Sequence, residues 1–316
     1  MKSTDNVPTG TGPSRAQLIE AFGSDLAFDE PLAPFTSFRT GGPAAYFLPV
    51  STSEQAARAI REAHRLGLDF VLIGGGSNLL VADDGYDGLV VKVDIRGIQV
   101  RDGSVIECGA GEDLMGLVRF AEENSLTGLE FAAGIWGTVG GAIYGNAGAF
   151  GGEIGDIIID VTLVDRDGSV RKVDREYCRF QYRDSYLKKT REIVTAARLQ
   201  MQPGDRDAIR AKIEEILALR VAKHPEQLTA GCFFKNIPDE TQPYGKLPAG
   251  KLLEESGAKE LQVGGAKVFE RHANIVVNTG HATTADICAL GKLMKEKVRK
   301  RFGIELEEEV IKIGNI

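Results

Sequence analysis

Three consecutive glycines open the run Gly74-Gly75-Gly76-Ser77-Asn78, which directly follows the apolar stretch Phe70–Ile73. Glycine tolerates positive φ, so successive backbone N–H groups in such a run can converge on an anion such as pyrophosphate. The run is not a P-loop, because no Gly-Lys-Ser/Thr follows, and it is not a dinucleotide-binding βαβ unit, because no amphipathic helix follows. For this run alone, a tight turn after a strand is the more common explanation.

A second glycine-rich segment spans Gly134–Gly155 and interleaves its glycines with Ile135, Val139, Ile143 and Tyr144. Flexible linkers combine glycine with polar residues, so this apolar mixture argues against a linker. The backbone could run close to a flat ligand or close to another part of the backbone, and the segment alone favours neither. Two such segments in one chain favour a long, phosphorylated cofactor.

The elements that would position these segments follow from caps and turn residues. Ser51 and Glu54 form a capping box that begins a helix ending at Leu66. Asp102-Gly103 and Asp167-Gly168 each separate two strand-like runs and therefore predict hairpins. The other predicted elements are the strands Phe70–Ile73, Leu89–Val93 and Asn274–Val277 and the helices Asp113–Asn124, Asp207–Val221, Ala249–Glu255 and Thr284–Phe302.

The order of these elements indicates a mixed α+β fold without internal repeats. Residues 1–17 are polar and contain Gly, Pro and Ser, so we expect a flexible tail there. The rest divides into blocks at residues 18–90, 91–204 and 205–316.

The bulk composition narrows the class of protein. The chain has 316 residues, which is long enough for two or three domains. Its formal net charge of −7 argues against a nucleic-acid-binding surface, which would need an excess of positive charge. No apolar run is long enough to span a membrane, and residues 1–17 lack the apolar core of a signal peptide. Four cysteines without a CxxC pair and four histidines without metal-ligand spacing predict no metal site. We therefore expect a cytoplasmic protein that acts on small molecules, without a nucleic-acid, membrane or obligate protein partner, although a local basic pocket is compatible with this charge.

Seven stretches of the chain occur in the order that is typical of one enzyme family. They are Thr36–Gly42, Ile73–Leu80, Gly134–Gly152, Tyr182–Ser185, Gly231–Asn236, Gly264–Val268 with His272–Asn274, and Leu306–Val310. Together they extend over about residues 30–314 and resemble the UDP-N-acetylenolpyruvoylglucosamine reductases, within the fold shared by vanillyl-alcohol-oxidase-like (PCMH-type) flavoproteins. The short interval between Arg183 and Cys232 leaves no room for a substrate-capping insertion, which resembles the second structural type of the family.

This resemblance implies an α+β fold with a two-part FAD-binding domain, residues 18–90 and 91–204. A C-terminal α+β substrate domain, residues 205–316, would end in a catalytic strand. The residues that the resemblance assigns to FAD are Tyr46, Gly74, Gly75, Gly76, Ser77, Asn78, Gly137, Thr138, Gly140, Gly141, Ala142, Asn146 and Gly148. For Tyr46, a half-buried place in the core is an equally good explanation.

The reaction that the resemblance implies is the NADPH-dependent reduction of UDP-N-acetylglucosamine enolpyruvate to UDP-N-acetylmuramate, in peptidoglycan precursor synthesis. NADPH reduces FAD, and flavin N5 then passes hydride to C3 of the enolpyruvyl group while C2 takes up a proton. Negative charge develops toward the substrate carboxylate, so the site needs a cation and a proton donor. The family's motifs assign catalysis to Arg183, Cys232 and Glu309, and substrate binding to Tyr182, Lys235 and Asn236.

Each catalytic assignment has a plainer local alternative. An arginine beside Asp184 is commonly a surface ion pair, three consecutive glutamates commonly form a solvated face, and an isolated cysteine is commonly a small buried apolar residue. The family usually carries serine at the position of Cys232. A thiol pKa of about 8.5 makes cysteine the stronger acid, but neighbouring cations could convert it to thiolate, which cannot donate. We therefore expect activity to fall at alkaline pH as Cys232 ionises.

Two other functions stay open. A flavin oxidase of the same fold would use oxygen as its acceptor, and such oxidases often tether flavin through histidine or cysteine. No histidine lies in either glycine-rich segment, which counts against an oxidase. A non-catalytic flavin-binding paralogue would explain the exchange of serine for cysteine, but the chain keeps both Arg183 and Glu309.

Overall fold

The computed structural model describes residues 12–223, 225, 228–242 and 245–316. Within these residues the chain forms the mixture of helices and strands that the sequence predicts. The first helix begins at Arg15, inside the segment 1–17 expected to be a flexible tail, and residues 1–11 of that segment lie outside the described residues. No helix in the described part is both long enough and apolar enough to cross a membrane. The block boundaries expected at residues 90 and 204 stay predictions.

Nine α-helices occupy the described residues. They are α1 Arg15–Phe22, α2 Ser53–Leu66, α3 Leu114–Glu123, α4 Val139–Gly145, α5 Arg175–Cys178, α6 Leu187–Thr190, α7 Arg206–Lys223, α8 Ala249–Glu255 and α9 Thr284–Phe302. The predicted capping box of Ser51 and Glu54 is wrong, because the Thr52 side chain accepts the Gln55 N–H and caps α2. Ser51 instead hydrogen-bonds the Gln55 side chain at 2.9 Å.

The first sheet has four strands. Their spatial order is Ala27–Pro31, Pro43–Val50, Tyr86–Val93 and Phe70–Ile73, with the first pair antiparallel and the other two pairs parallel. Helix α2 packs against strands of this sheet and of the second sheet. Its buried face carries Ala56, Ala59, Ile60 and Ala63, and these mostly small side chains let the helix fit closely between two sheets.

The second sheet is antiparallel and contains both predicted hairpins. Its spatial order is Val170–Asp174, Ile158–Val164, Ile193–Gln200, Val105–Gly109 and Ile98–Arg101. Arg101 pairs with Val105, so residues 102–104 form the turn, in which Asp102 and Gly103 both have positive φ, 47° and 75°. The second glycine-rich segment precedes this sheet's second hairpin and contains α4, a short helix that its composition did not predict.

The C-terminal third packs α8 and α9 against a small antiparallel sheet. Its strands are Gln262–Val263, Ala266–Val268 and Val276–Asn278, and Phe233 and Phe234 are buried in the same core. The last strand, Ile311–Ile313, leaves this core and pairs in parallel with Leu79–Val81, directly after the first glycine run. The C-terminal segment therefore brings Glu309 to the first glycine run. Shorter strand pairs join Gly148–Ala149 to Gly152–Glu153, Leu126–Thr127 to Gln202–Pro203, and Ile237–Pro238 to Lys246–Leu247.

Candidate active site

The two glycine-rich segments pack against each other. A Cβ atom on Gly75 would lie 2.8 Å from Gly137 Cα, and one on Gly74 would lie 2.5 Å from Thr138 Oγ1. Gly137 has φ 126°, a conformation that residues with side chains rarely adopt. Close contact between the two backbones therefore favours glycine at Gly75 and Gly137, which is one of the two explanations left open above.

A cavity of about 2180 Å³ runs along both segments. Sites for drug-sized ligands measure roughly 300–1,000 Å³, so this cavity is larger than one such ligand needs. The predicted cofactor-binding residues on its wall are Gly74, Gly75, Gly76, Ser77, Asn78, Gly137, Thr138, Gly140, Gly141, Ala142, Asn146 and Gly148. The predicted catalytic and substrate-binding residues on its wall are Tyr182, Arg183, Cys232, Asn236 and Glu309.

Two predicted site residues lie off the cavity wall. Tyr46 packs edge-on against the Phe28 ring, with the ring centroids 5.8 Å apart. This half-buried position against the core is the predicted alternative, and the assignment of Tyr46 to FAD stays a prediction. Lys235 forms an ion pair with Glu307, although its charge still lowers the pKa of Glu309.

Main-chain hydrogen bonds hold Cys232 and Glu309 side by side. Cys232 pairs with Ile275 on one side, and Glu309 N donates to Phe233 O at 2.8 Å on the other. The Asn274 side chain stabilises this arrangement through two hydrogen bonds to the backbone of Phe234. Its Nδ2 donates to Phe234 O at 2.8 Å, and its Oδ1 accepts from Phe234 N at 2.9 Å. The two predicted catalytic residues are therefore set by neighbouring extended segments.

The first glycine run contacts this arrangement through Asn78. Its Nδ2 donates to Glu309 O at 2.9 Å, and its carbonyl accepts from Ile311 N at 2.9 Å. Asn78 thus fixes the position of Glu309 relative to the predicted cofactor cradle.

Arg183 lies in a short loop that the second glycine-rich segment anchors. Asn146 Nδ2 donates to Gln181 O at 2.8 Å, and Ser185 Oγ donates to Tyr144 O at 2.7 Å. Arg183 itself has φ 53°, a left-handed conformation that is uncommon for a residue with a side chain. Such a conformation persists where the surroundings fix it, and here the loop is tethered on both sides.

Arg183 and Glu309 form an ion pair on the cavity wall. Arg183 Nε lies 2.9 Å from Glu309 Oε1, but the Nε–H is not aligned as a hydrogen bond to any described group. Burial raises the pKa of Glu309, and the positive charges of Arg183, Lys188 and Lys235 oppose this rise. The pair therefore places a cation and a carboxyl group of raised pKa on the wall of the same cavity.

The Cys232 thiol is protonated at neutral pH. Burial, together with the Glu309 carboxylate, raises the pKa of Cys232 to about 11, against the opposing effects of Arg183 and Arg220. The sequence left open whether neighbouring cations would produce a thiolate, and here burial outweighs them. A thiol in this state can donate a proton.

Arg220 lines the cavity although sequence reasoning did not select it. Its Nε donates to Ala133 O at 2.7 Å, and its guanidinium lies 5.3 Å from the centre of the Phe150 ring. Its Nη2 is buried and has no hydrogen-bond partner among the described residues. In the sequence Arg220 is one of many polar residues of α7, and no local signal marks it.

Two lysines add to the positive charge of the cavity wall. Lys246 Nζ lies 3.3 Å from the centre of the Tyr182 ring, and Lys188 Nζ donates to Arg183 O at 2.5 Å. Both line the cavity with Arg183 and Arg220. A chain with a net charge of −7 therefore has a cavity suited to anionic ligands.

Comparison with known proteins gives the family. The model of an FAD binding domain matches residues 43–174, and that of the UDP-N-acetylenolpyruvoylglucosamine reductase C-terminal domain matches residues 223–313. The UDP-N-acetylenolpyruvoylglucosamine reductase of Heliobacterium modesticaldum is 39% identical over 302 residues, which cover 95% of this chain and 94% of that protein. The chain belongs to the UDP-N-acetylenolpyruvoylglucosamine reductase family. The reductase of Agathobacter rectalis is 40% identical over 303 residues, 92% of this chain and 94% of that one.

A solved structure of the same family agrees with the fold. The crystal structure of the reductase from Thermus caldophilus superposes with a TM-score of 0.76 at 32% identity, and the match covers 92% of this chain and 98% of that one. The predicted order of an FAD-binding domain followed by a C-terminal domain of this family is confirmed. The protein is thus a flavin-dependent oxidoreductase of cell-wall precursor synthesis.

Proposed function

We propose that the protein reduces UDP-N-acetylglucosamine enolpyruvate to UDP-N-acetylmuramate, with NADPH as reductant and FAD as bound cofactor. The observation that carries this proposal is the convergence of Arg183, Cys232 and Glu309 on the cavity wall that both glycine-rich segments share. Adding hydride to a double bond beside a carboxylate needs a cation for the developing charge and a proton donor. We place the reaction in the cytoplasm, where the four free thiols of the chain would persist.

The residues present fit FAD. Gly75 and Gly137 bring the two segments together with no side chain between them, which leaves backbone groups as a surface for a pyrophosphate. The volume of about 2180 Å³ leaves room for a nucleotide sugar beside the cofactor. When bound, FAD would supply the hydride chemistry between NADPH and the enolpyruvyl group, and the two glycine-rich segments would hold it.

Arg183 would bind the substrate carboxylate. The planar guanidinium suits two-point binding of a carboxylate, and its charge stabilises the enolate-like state that forms as C3 gains hydride. Glu309 pairs with Nε, so we assign the terminal guanidinium nitrogens to the substrate. Glu309 then orients the guanidinium.

Cys232 would donate the proton to C2. With a pKa of about 11, its thiol is almost entirely protonated at neutral pH, as a donor must be. The S–H bond breaks as the C2–H bond forms, and the resulting thiolate regains a proton from water. A cysteine can therefore serve at the position where the family usually carries serine.

The diphosphate of the substrate would lie against the positively charged cavity wall. We propose Tyr182 and Asn236 as substrate-binding residues on the cavity wall, with Arg220 and Lys246 adding positive charge there. Lys235 lies off the wall and pairs with Glu307, so its substrate-binding role rests on the resemblance alone. Asn236 Oδ1 accepts from Ala249 N at 3.1 Å, so its Nδ2 is the atom that we assign to the ligand. The cation–π contact between the Lys246 ammonium and the Tyr182 ring holds the Lys246 charge on the cavity wall.

Steady-state turnover of the purified holoenzyme tests the proposal. NADPH should be consumed only in the presence of UDP-N-acetylglucosamine enolpyruvate, and mass spectrometry should find that substrate with two added hydrogens. NADPH consumption that requires oxygen and leaves the enolpyruvyl compound unchanged would identify a flavin oxidase. No flavin reduction by NADPH would indicate a non-catalytic paralogue. Either result would overturn the proposal.

A further inference from the structure

We propose that Lys188 is a positioning residue whose ammonium group holds the peptide of Arg183 in the orientation from which the guanidinium meets Glu309. This inference rests on the proposed function, since it assigns a role within the same site. It concerns a lysine that neither the sequence pattern nor the catalytic chemistry requires.

The contact between Lys188 and Arg183 is direct. Lys188 lies in α6, the short helix that follows the Arg183 loop. Its Nζ donates a hydrogen bond to Arg183 O at 2.5 Å. The side chain is 29% exposed, and its ammonium also lies 3.7 Å from Asp184 Oδ1. Burial lowers the pKa of Lys188, while the Asp184 and Glu309 carboxylates oppose this change. The ammonium is thus held by an acidic neighbour and directed at one carbonyl.

The Arg183 peptide needs such a support. Its φ of 53° places it in the left-handed region, which is unfavourable for a residue with a Cβ atom. Reciprocal hydrogen bonds between Gln181 and Asp184, at 2.9 and 3.0 Å, close the loop on either side of Arg183. The bond from Lys188 is the contact made at the Arg183 carbonyl itself, and a charged donor makes it stronger than a neutral one.

Lys188 also acts on Glu309 through its charge. The charged groups that face Glu309 are Arg183, Lys188 and Lys235, and all three lower the pKa that burial raises. The Cys232 thiol lies in the same electrostatic group. Removing the Lys188 charge should therefore move the titration of Glu309 to higher pH.

The chain offers a matched control in the next residue. Lys189 carries the same charge on the same short helix, α6, but it is exposed. A Lys189→Met variant changes net charge and side-chain type as Lys188→Met does, without touching the Arg183 peptide.

The test compares holoenzymes carrying Lys188→Met, Lys188→Arg, Lys188→Gln and Lys189→Met. Lys188→Met should lower kcat by about 10-fold or more, because misplacing a catalytic group by about 1 Å costs on the order of 10²-fold. In the Lys188→Met enzyme, the limb of the pH–rate profile that reflects the ionisation of Glu309 should move to higher pH. Lys188→Arg should restore most of kcat and the limb, and Lys189→Met should match wild type. FAD affinity, measured by quenching of flavin fluorescence, should be the same in all variants.

Lys188→Gln separates the hydrogen bond from the charge and decides the matter if Lys188→Met does not fold. It should keep much of kcat through its amide donor while its pH limb still moves upward. The inference is wrong if Lys188→Met matches wild type, if Lys188→Arg is as slow as Lys188→Met, or if the pH limb stays in place in Lys188→Gln. Absence of turnover in the wild-type enzyme would instead refute the proposed function.

Discussion

The Cys232 thiol should set the alkaline limit of turnover. Proton donation to C2 needs the S–H form, so the rate should fall as pH rises through the thiol pKa, which burial raises to about 11. The hydroxyl of a Cys232→Ser variant ionises at far higher pH, so its alkaline limb should move upward. Profiles of kcat against pH for both proteins measure this. Superimposable alkaline limbs would exclude Cys232 as the donor.

The ion pair between Arg183 and Glu309 should be needed for turnover and not for cofactor binding. Arg183→Lys keeps the charge but loses the planar fork, so kcat should drop by roughly 10²-fold, the scale seen when one oxyanion-stabilising group is removed. Glu309→Gln should also reduce kcat. Glu307→Gln should reduce kcat far less than Glu309→Gln, because the Glu307 side chain is 73% exposed and its partner Lys235 lies off the cavity wall. Equal losses in the Glu307 and Glu309 variants would show that the motif register is wrong.

The contact between the two glycine-rich segments should control FAD affinity. In Gly75→Ala the new Cβ would lie 2.8 Å from Gly137 Cα, so the segments must separate and the cradle must widen. We expect weaker FAD binding, by about 10-fold or more, measured by flavin fluorescence on titrating the apoprotein. Gly116→Ala is the control, since Gly116 is exposed on helix α3 and its new Cβ would meet only Asp113, at 3.7 Å. Unchanged affinity in Gly75→Ala would contradict a cradle formed by this contact.

Local sequence signals predicted most of the helices and strands. They failed where tertiary contacts determine the secondary structure. The Asp102-Gly103 hairpin and the bounds of α8 and α9 follow from the turn residues and from apolar periodicity. The start of α2 differs by two residues because Thr52 competes successfully with Ser51 for the cap. Helix α4 was missed because glycine disfavours helices, and here packing against the protein core stabilises it.

The proposed catalytic residues come from three distant parts of the chain that meet on one cavity wall. The order of the family's motifs selected Arg183, Cys232 and Glu309 as candidates. Local patterns alone would favour a surface ion pair, a buried cysteine and a solvated acidic run at these positions. Arg220, Lys188 and Lys246 were not predicted, because they come together on the cavity wall only when the loops and helix α7 fold around it. Tyr46, which the resemblance assigned to FAD, is half-buried against the core and off the cavity wall, and its assignment stays a prediction.

The assembled molecule should couple two half-reactions through one cavity, and an oxygen-free experiment on the yellow holoenzyme measures both. NADPH should bleach the flavin. UDP-N-acetylglucosamine enolpyruvate added next should restore the colour, with one UDP-N-acetylmuramate formed for each flavin reoxidised. Recovery of colour only when oxygen is admitted, with the enolpyruvyl compound unchanged, would contradict the account.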